Sequence, residues 1–163
     1  MSALEPLPHA PIAMVLGLLE HLRETPQGRE DVYKLGGPLG YELDDLLPVT
    51  EAAKRLGLVT IRSGDIELTA EGRALGAAAE ESERKRRLGP LLLGLPLVAA
   101  IPRALDEQPE RRTSKRAFLE RLCEAFSPAE AERQLATAVD WARYGEAFDF
   151  DADTEEFFLP PSE

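Results

Sequence analysis

Residues 58–73, with the sequence LVTIRSGDIELTAEGR, decide how the chain folds. Two runs rich in strand-forming residues, 58–61 and 65–68, are separated by three residues that include a glycine, which is typical of a β-hairpin. Thr69 follows at once and is predicted to cap a helix, with Glu71 in the first turn, where an acidic side chain is favourable. The period of the sequence therefore changes from strand to helix at Thr69.

Helices are predicted before this hairpin. Apolar residues recur at helical spacing over residues 12–24. A short second helix is predicted over residues 29–35, ended by two glycines and a proline. A third is predicted over residues 42–56, where Pro48 implies a kink or a later start. Three helices, a hairpin and a further helix are the pattern of a winged helix.

The second half repeats this plan more loosely. Residues 91–105 form a strongly apolar segment, and a helix is predicted from Ser114 to residue 126. Ser127, followed by Pro128 and an acidic third position, is the signature of another helix start. Two aromatic runs near the end, 148–150 and 157–159, are predicted to pair as a second hairpin.

The predicted fold class is therefore mainly α with short β-hairpins, arranged as tandem winged-helix-like units. The first unit covers residues 1–80 and the second covers residues 81–163. The two halves are too different in sequence to establish a repeat.

Composition excludes several classes of protein. The 163 residues carry 30 acidic and 19 basic side chains, a net charge of −11, which disfavours a protein that coats nucleic acid. The hydrophobic fraction of 44% is too high for a disordered chain. The single cysteine suits a reducing cytoplasm. Residues 88–101 are apolar but interrupted by glycine and proline and shorter than the ~20 residues that span a bilayer, so no membrane insertion is expected.

Charge is distributed unevenly along the chain. Residues 83–121 hold ten basic and five acidic side chains, a net of +5, whereas residues 140–163 have a net of −7. Such asymmetry allows one half to attract an acidic partner, or the two halves to attract each other. A solvated helix face accounts for the same pattern equally well.

Charged side chains suggest where a partner binds. The third helix of a winged helix reads DNA through Arg, Lys, Asn or Gln, but here it opens with Glu42, Asp44 and Asp45, which disfavours DNA. A short basic run is the better candidate for an anionic partner, although ordinary surface charge is the simpler interpretation. It comprises Arg111, Arg112, Lys115 and Arg116.

No cofactor, metal or catalytic residue is predicted. The acidic turn from Asp149 resembles a calcium loop, but its sixth position is Thr154 and its twelfth is Pro160, where glycine and glutamate are required. Cys123 follows apolar neighbours and is predicted to be a buried structural thiol. It lacks any metal-ligand or catalytic spacing to the two histidines, so the protein is not expected to be an enzyme.

Four stretches carry a resemblance that spans most of the chain. They read Glu42-Leu-Asp-Asp-Leu-Leu-Pro48, Glu51-Ala-Ala-Lys-Arg-Leu-Gly57, Gly64-Asp-Ile-Glu-Leu-Thr-Ala-Glu-Gly72 and Trp141-Ala-Arg-Tyr-Gly-Glu-Ala-Phe148. In order and spacing they resemble the C-terminal AAA-associated domain, an extension of nitrate/sulfonate/taurine-type ABC importer ATPases, here without the cassette. The resemblance implies a cytoplasmic accessory or regulatory module linked to such an ATPase and assigns no catalytic residue.

The predicted function is protein interaction without catalysis. The expected partner is a protein such as an ABC ATPase subunit or a second copy of the chain. The alternatives are a dimeric winged-helix transcription regulator and a small-ligand sensor with a pocket between the units. The apolar segment belongs to the contact surface if it is exposed and to the core if it is buried. The candidate contact residues are Glu42, Asp44, Asp45, Leu92, Leu93, Leu97, Arg111, Arg112, Lys115 and Arg116.

Overall fold

The computed structural model describes residues 5–146 and 148–159, which form two compact units. The N-terminal unit is Pro8–Leu91, and the C-terminal unit comprises residues 92–159 together with residues 5–7. Helices dominate both units, and each has one small antiparallel sheet, so the prediction of a mainly α protein with short β-hairpins is confirmed.

The elements of the N-terminal unit follow one another closely. They are α1 (Ile12–Arg23), β1 (Arg29–Asp31), α2 (Gly36–Leu39), α3 (Leu43–Arg55), β2 (Val59–Arg62), β3 (Asp65–Leu68), α4 (Ala70–Ala77) and α5 (Glu81–Leu92), whose last residue is the first of the C-terminal unit. The C-terminal unit continues with α6 (Pro96–Asp106), β4 (Arg112–Ser114), α7 (Lys115–Leu122), α8 (Pro128–Tyr144), β5 (Asp149–Asp151) and β6 (Glu156–Phe158).

The predicted hairpin and its following helix are confirmed. Strands β2 and β3 pair antiparallel, and the connecting Ser63 and Gly64 both have positive φ, 51° and 84°, as the tight hairpin turn requires. The hydroxyl of Thr69 accepts a hydrogen bond from the Gly72 N–H at 3.0 Å, capping α4. The same hydroxyl donates to the Gly57 carbonyl at 2.7 Å, so one side chain ties the hairpin to two helices.

The predicted helix over residues 29–35 is wrong. Arg29–Asp31 is strand β1, which pairs antiparallel with β3, and only Val32–Lys34 forms a 3₁₀ turn. An isolated helix this short is marginal in water, whereas the open edge of β3 offers main-chain hydrogen-bond partners. The glycines after it do not end a helix but begin the single turn of α2. Pro48 lies inside α3, which begins at Leu43, so the later start is not observed.

The core of the N-terminal unit forms around α1. This helix packs against α3, α4 and β3. Its inward face is fully buried, and so are facing residues of the neighbouring elements. The buried residues include Val15, Leu18, Leu19, Leu22, Leu46, Val49, Ala53, Ile66 and Leu75.

The C-terminal unit has the same topology as the N-terminal unit. Each runs helix, strand, helix, helix, hairpin, and in each the first strand pairs with the last, giving the orders β1-β3-β2 and β4-β6-β5. Helix α8 is therefore the counterpart of α3, and the two bury residues at the same spacing: Leu46, Val49, Thr50 and Ala53 against Ala131, Gln134, Leu135 and Ala138.

Other sequence predictions for the C-terminal unit are confirmed. Ser114 caps α7 and Ser127 caps α8, each accepting a main-chain hydrogen bond three residues on. The second hairpin is present as β5 and β6. Phe157 on β6 is buried and makes edge-to-face contacts with the rings of Phe118 at 6.3 Å and Phe148 at 5.5 Å. Trp141 is fully buried.

Candidate partner-binding surfaces

The first turn of α3 is acidic and exposed. Glu42, Asp44 and Asp45 form no ion pair or side-chain hydrogen bond with the residues that the structure describes. Asp44 and Asp45 complement the positive end of the helix dipole, which accounts for part of their presence. At the other end, the last residue of the helix, Arg55, pairs with Glu51 at 3.2 Å. Because Lys54 adds a further positive charge beside this pair, the helix is negative where it begins and weakly positive where it ends.

Two leucines on α3 are exposed, although both match the apolar period of that helix. Leu43 and Leu47, one helical turn apart, are each 45% exposed, while Leu46 is 1% exposed. Periodicity assigned all three to the apolar part of the helix. Positions 43, 46 and 47 have the i, i+3, i+4 spacing of a single apolar face, so no signal in the sequence separates the two exposed leucines from Leu46.

The apolar segment of the predicted contact surface is largely core. Leu92 and Leu97 are fully buried, and Leu97 belongs to the inward stripe of α6. Leu93 alone of the three is exposed, at 44%. The core alternative therefore holds for Leu92 and Leu97, and the apolar candidate surface in this segment is reduced to Leu93.

The basic run is divided between a sheet and a solvent-facing turn. The Arg112 guanidinium lies 3.4 Å from Asp151 and 3.3 Å from Glu156, and 5.0 Å from the centre of the Phe158 ring. Its charge is therefore neutralised within the β4-β6-β5 sheet. Arg111 is 3.9 Å from Asp106, a weak exposed pair. Lys115 and Arg116 open α7 and face outward or partly so.

In the acidic turn between β5 and β6, the Asp151 carboxylate accepts hydrogen bonds from the main chain of the turn itself. The main-chain N–H groups of Thr154 and Asp153 donate to Asp151 Oδ1, at 3.3 and 3.0 Å. These hydrogen bonds, with a smaller contribution from Arg112, hold the pKa of Asp151 below its ordinary value of 3.8. Within residues 5–146 and 148–159, no group of three or more His, Cys, Asp or Glu side chains is placed to hold a metal. Pro160 lies outside the described residues.

The prediction that Cys123 is buried is wrong. The residue is exposed. It directly follows α7 and forms its C-cap, while Phe118 and Leu122 occupy the inward positions of that helix. A step of one residue turns the side chain by ~100° around a helix, which carries Cys123 away from the core beneath Leu122.

A shallow polar cavity lies on the outer face of the N-terminal sheet. Its volume is about 310 Å³, and the Arg29 guanidinium beside it pairs with Glu67 at 3.1 Å. Opposite charges alternate around the rim, so the site has no net preference for an anion or a cation. The lining residues are Arg29, Thr60, Arg62, Asp65 and Glu67.

In the described part of the chain, no single helix is both long enough and apolar enough to cross a membrane. Only α5 and α6 taken together, across the sharp bend between them, meet that standard of length and composition.

Two units of one topology place the chain among tandem-unit, mainly helical domains. The C-terminal AAA-associated domain family matches residues 33–151, well over half of the chain, so the chain belongs to that family. This confirms the resemblance drawn from the four stretches and associates the chain with ATPases of the AAA or ABC type. No curated protein and no solved structure matches the chain significantly.

Proposed function

We propose that the protein is a non-catalytic, cytoplasmic accessory module that binds an ABC-type importer ATPase for an anion such as nitrate or sulfonate and adjusts its activity. Family membership over residues 33–151 is the observation that carries this proposal. The exposed carboxylates and leucines of α3 support it, because such side chains can make ionic and apolar contacts with another protein.

We interpret each unit as a winged helix, on the basis of the shared order of helices and strands. In a winged helix that reads DNA, the position of α3 is the one that enters the major groove. The carboxylates of the N-cap Glu42 and of Asp44 and Asp45 in the first turn have no partner among the described residues, and they would face phosphates and base acceptors there. The geometry therefore favours a protein partner over the alternative of a dimeric DNA-binding regulator.

Reconstitution with purified components tests the proposal. The ATPase and permease of a nitrate- or sulfonate-type importer, taken from the same genome, are purified, and ATP hydrolysis is measured with and without this protein. We expect a stoichiometric complex and a changed hydrolysis rate. No complex and no rate change at tens of micromolar protein would reject the assignment.

A titration with fluorescent duplex DNA tests the alternative. We expect no specific binding at physiological salt. Tight binding with a steep dependence on salt concentration would establish the DNA-binding regulator instead, because phosphate contacts release counterions.

A further inference from the structure

The two units provide an internal comparison for α3. Because α3 and α8 bury residues at the same spacing, their outward positions also correspond. Leu47 directly follows the buried Leu46, and its counterpart Glu132 directly follows the buried Ala131. The outward residues of α8 are charged or small: Glu132, Arg133, Ala136 and Asp140. The fold therefore does not require exposed leucines at this position, and α3 carries them as a feature of its own.

The exposed leucines form a short ridge on α3. Leu43 and Leu47 are four residues apart, and Glu51 continues the same row one turn further. Such rows of side chains pack into the grooves of a second helix. Each leucine leaves about half of its surface in water, and burying apolar area is the main source of affinity in the centre of an interface.

Charge around this ridge indicates the chemistry of the partner. Glu42, Asp44 and Asp45 flank Leu43 and are unpaired among the described residues. Lys54 lies at the opposite end of the helix. A partner that covers the leucines must therefore bring positive charge to the beginning of α3, and it meets positive charge near its end. Charge complementarity of this kind determines orientation and the rate of association.

We infer that α3 binds a helix of the partner protein that places apolar side chains against Leu43 and Leu47 and lysine or arginine beside Glu42, Asp44 and Asp45. The inference rests on the proposed function for the existence of a protein partner, and it names the surface and the chemistry of that partner. The acidic turn between β5 and β6 is not part of this surface, because Asp151 is already hydrogen-bonded and paired with Arg112.

Two synthetic helical peptides test the inference on the full chain. Both carry two leucines one turn apart; one carries lysines at the flanking positions and the other carries glutamates. We expect the lysine peptide alone to bind, with NMR shift changes centred on α3. Equal binding of both peptides, or shift changes centred on residues 149–156, would overturn the inference.

Matched variants separate the leucines and carboxylates of α3 from general surface effects. Leu43→Ser with Leu47→Ser is expected to weaken binding of the lysine peptide by about 100-fold, since a central apolar anchor is worth roughly tenfold or more. Tyr33→Ser, which removes a large side chain that is 74% exposed and lies outside α3 and the candidate contact residues, is the control. Glu42→Gln, Asp44→Asn and Asp45→Asn together should weaken it by about tenfold at low salt. Glu107→Gln, Glu110→Gln and Glu124→Gln remove equal charge from other exposed positions and should have less than a twofold effect.

The result can be distinguished from that of the proposed function. If the importer ATPase binds normally to the Leu43→Ser, Leu47→Ser variant, the inference fails and the proposed function stands. If the lysine peptide binds α3 but the ATPase does not bind the protein, the proposed function fails and the surface stands. Sedimentation that shows a dimer disrupted by Leu47→Ser would overturn the inference, because a second copy would then cover the ridge. Circular dichroism checks that each variant is folded.

Discussion

The side-chain amide of Gln134 forms a reciprocal pair of hydrogen bonds with the main chain of Leu7. Its Oε1 accepts from the Leu7 N–H at 2.7 Å, and its Nε2 donates to the Leu7 carbonyl at 3.1 Å and to Glu130 at 2.9 Å. Gln134 is 1% exposed and Leu7 is 4% exposed. A buried glutamine on α8 thus holds residues 5–7 within the C-terminal unit, and its polar atoms are satisfied by doing so.

Replacing Gln134 with leucine should lower the free energy of unfolding by about 1–3 kcal/mol, because a buried donor and acceptor of Leu7 lose their partners. Urea denaturation measures the change. Gln108→Leu, at an exposed glutamine, is the control and should change stability by less than about 0.5 kcal/mol. Equal effects of the two substitutions would show that the Leu7 hydrogen bonds contribute nothing.

Gly72→Ala should destabilise the N-terminal unit strongly. A Cβ at this position would overlap the carbonyl group of Leu58, which is rigid main chain beside the hairpin. We expect a loss of about 1–3 kcal/mol or more in thermal or urea unfolding. Gly17→Ala is the matched control, since no atom lies within 4 Å of its Cβ position in α1. There the helix propensity of alanine should add about 0.5–1 kcal/mol. A neutral Gly72→Ala would contradict the close approach.

A fragment limited to residues 33–151 should not fold, although it is the part that matches the family. It lacks α1, whose Val15, Leu18 and Leu22 are fully buried, and β6, which carries the buried Phe157. Each such side chain contributes ~1.5–3 kcal/mol on burial, so the four together contribute ~6–12 kcal/mol, which is comparable to a typical total stability of ~5–15 kcal/mol. Circular dichroism and NMR dispersion compare it with residues 5–159. Cooperative unfolding of the fragment would disprove this.

Acid should weaken the β4-β6-β5 sheet through Asp151. Its folded pKa is lowered, first by the hydrogen bond from the Thr154 N–H and then by that from Asp153. A lowered folded pKa contributes stability above the unfolded pKa and loses it as pH falls through the folded pKa. NMR titration should therefore give Asp151 a midpoint below 3.8. Asp151→Asn should reduce the loss of unfolding free energy that occurs as pH falls from the unfolded to the folded pKa of Asp151. An unchanged loss in the variant would show that Asp151 does not contribute to it.

Cys123 should react with a thiol reagent in the native protein, because its side chain is exposed. We expect a modification rate within about tenfold of that measured in denaturant, since no core must open first. Cys123→Ser should leave the midpoint of thermal unfolding unchanged within error and abolish the reaction. Protection by several orders of magnitude would restore the interpretation of a buried thiol.

Local signals in the sequence predicted much of the fold. The turn at Ser63 and Gly64 and the caps at Thr69, Ser114 and Ser127 depend on residues a few positions apart, and all are confirmed. Strands β1 and β4 were not predicted. Both are three residues long and mostly polar, so neither shows an alternating pattern, and each exists because a central strand leaves an edge open for hydrogen bonds.

The sequence by itself determined the family, the main elements and the excess of acid on α3. Tertiary packing decided which apolar residues are covered. Periodicity treats Leu43, Leu46 and Leu47 alike, yet α1 covers one side of α3, so that Leu46 is buried while Leu43 and Leu47 meet solvent. The reason is geometric: the sequence states how apolar a helix is, whereas the neighbouring helix determines which side of it water reaches.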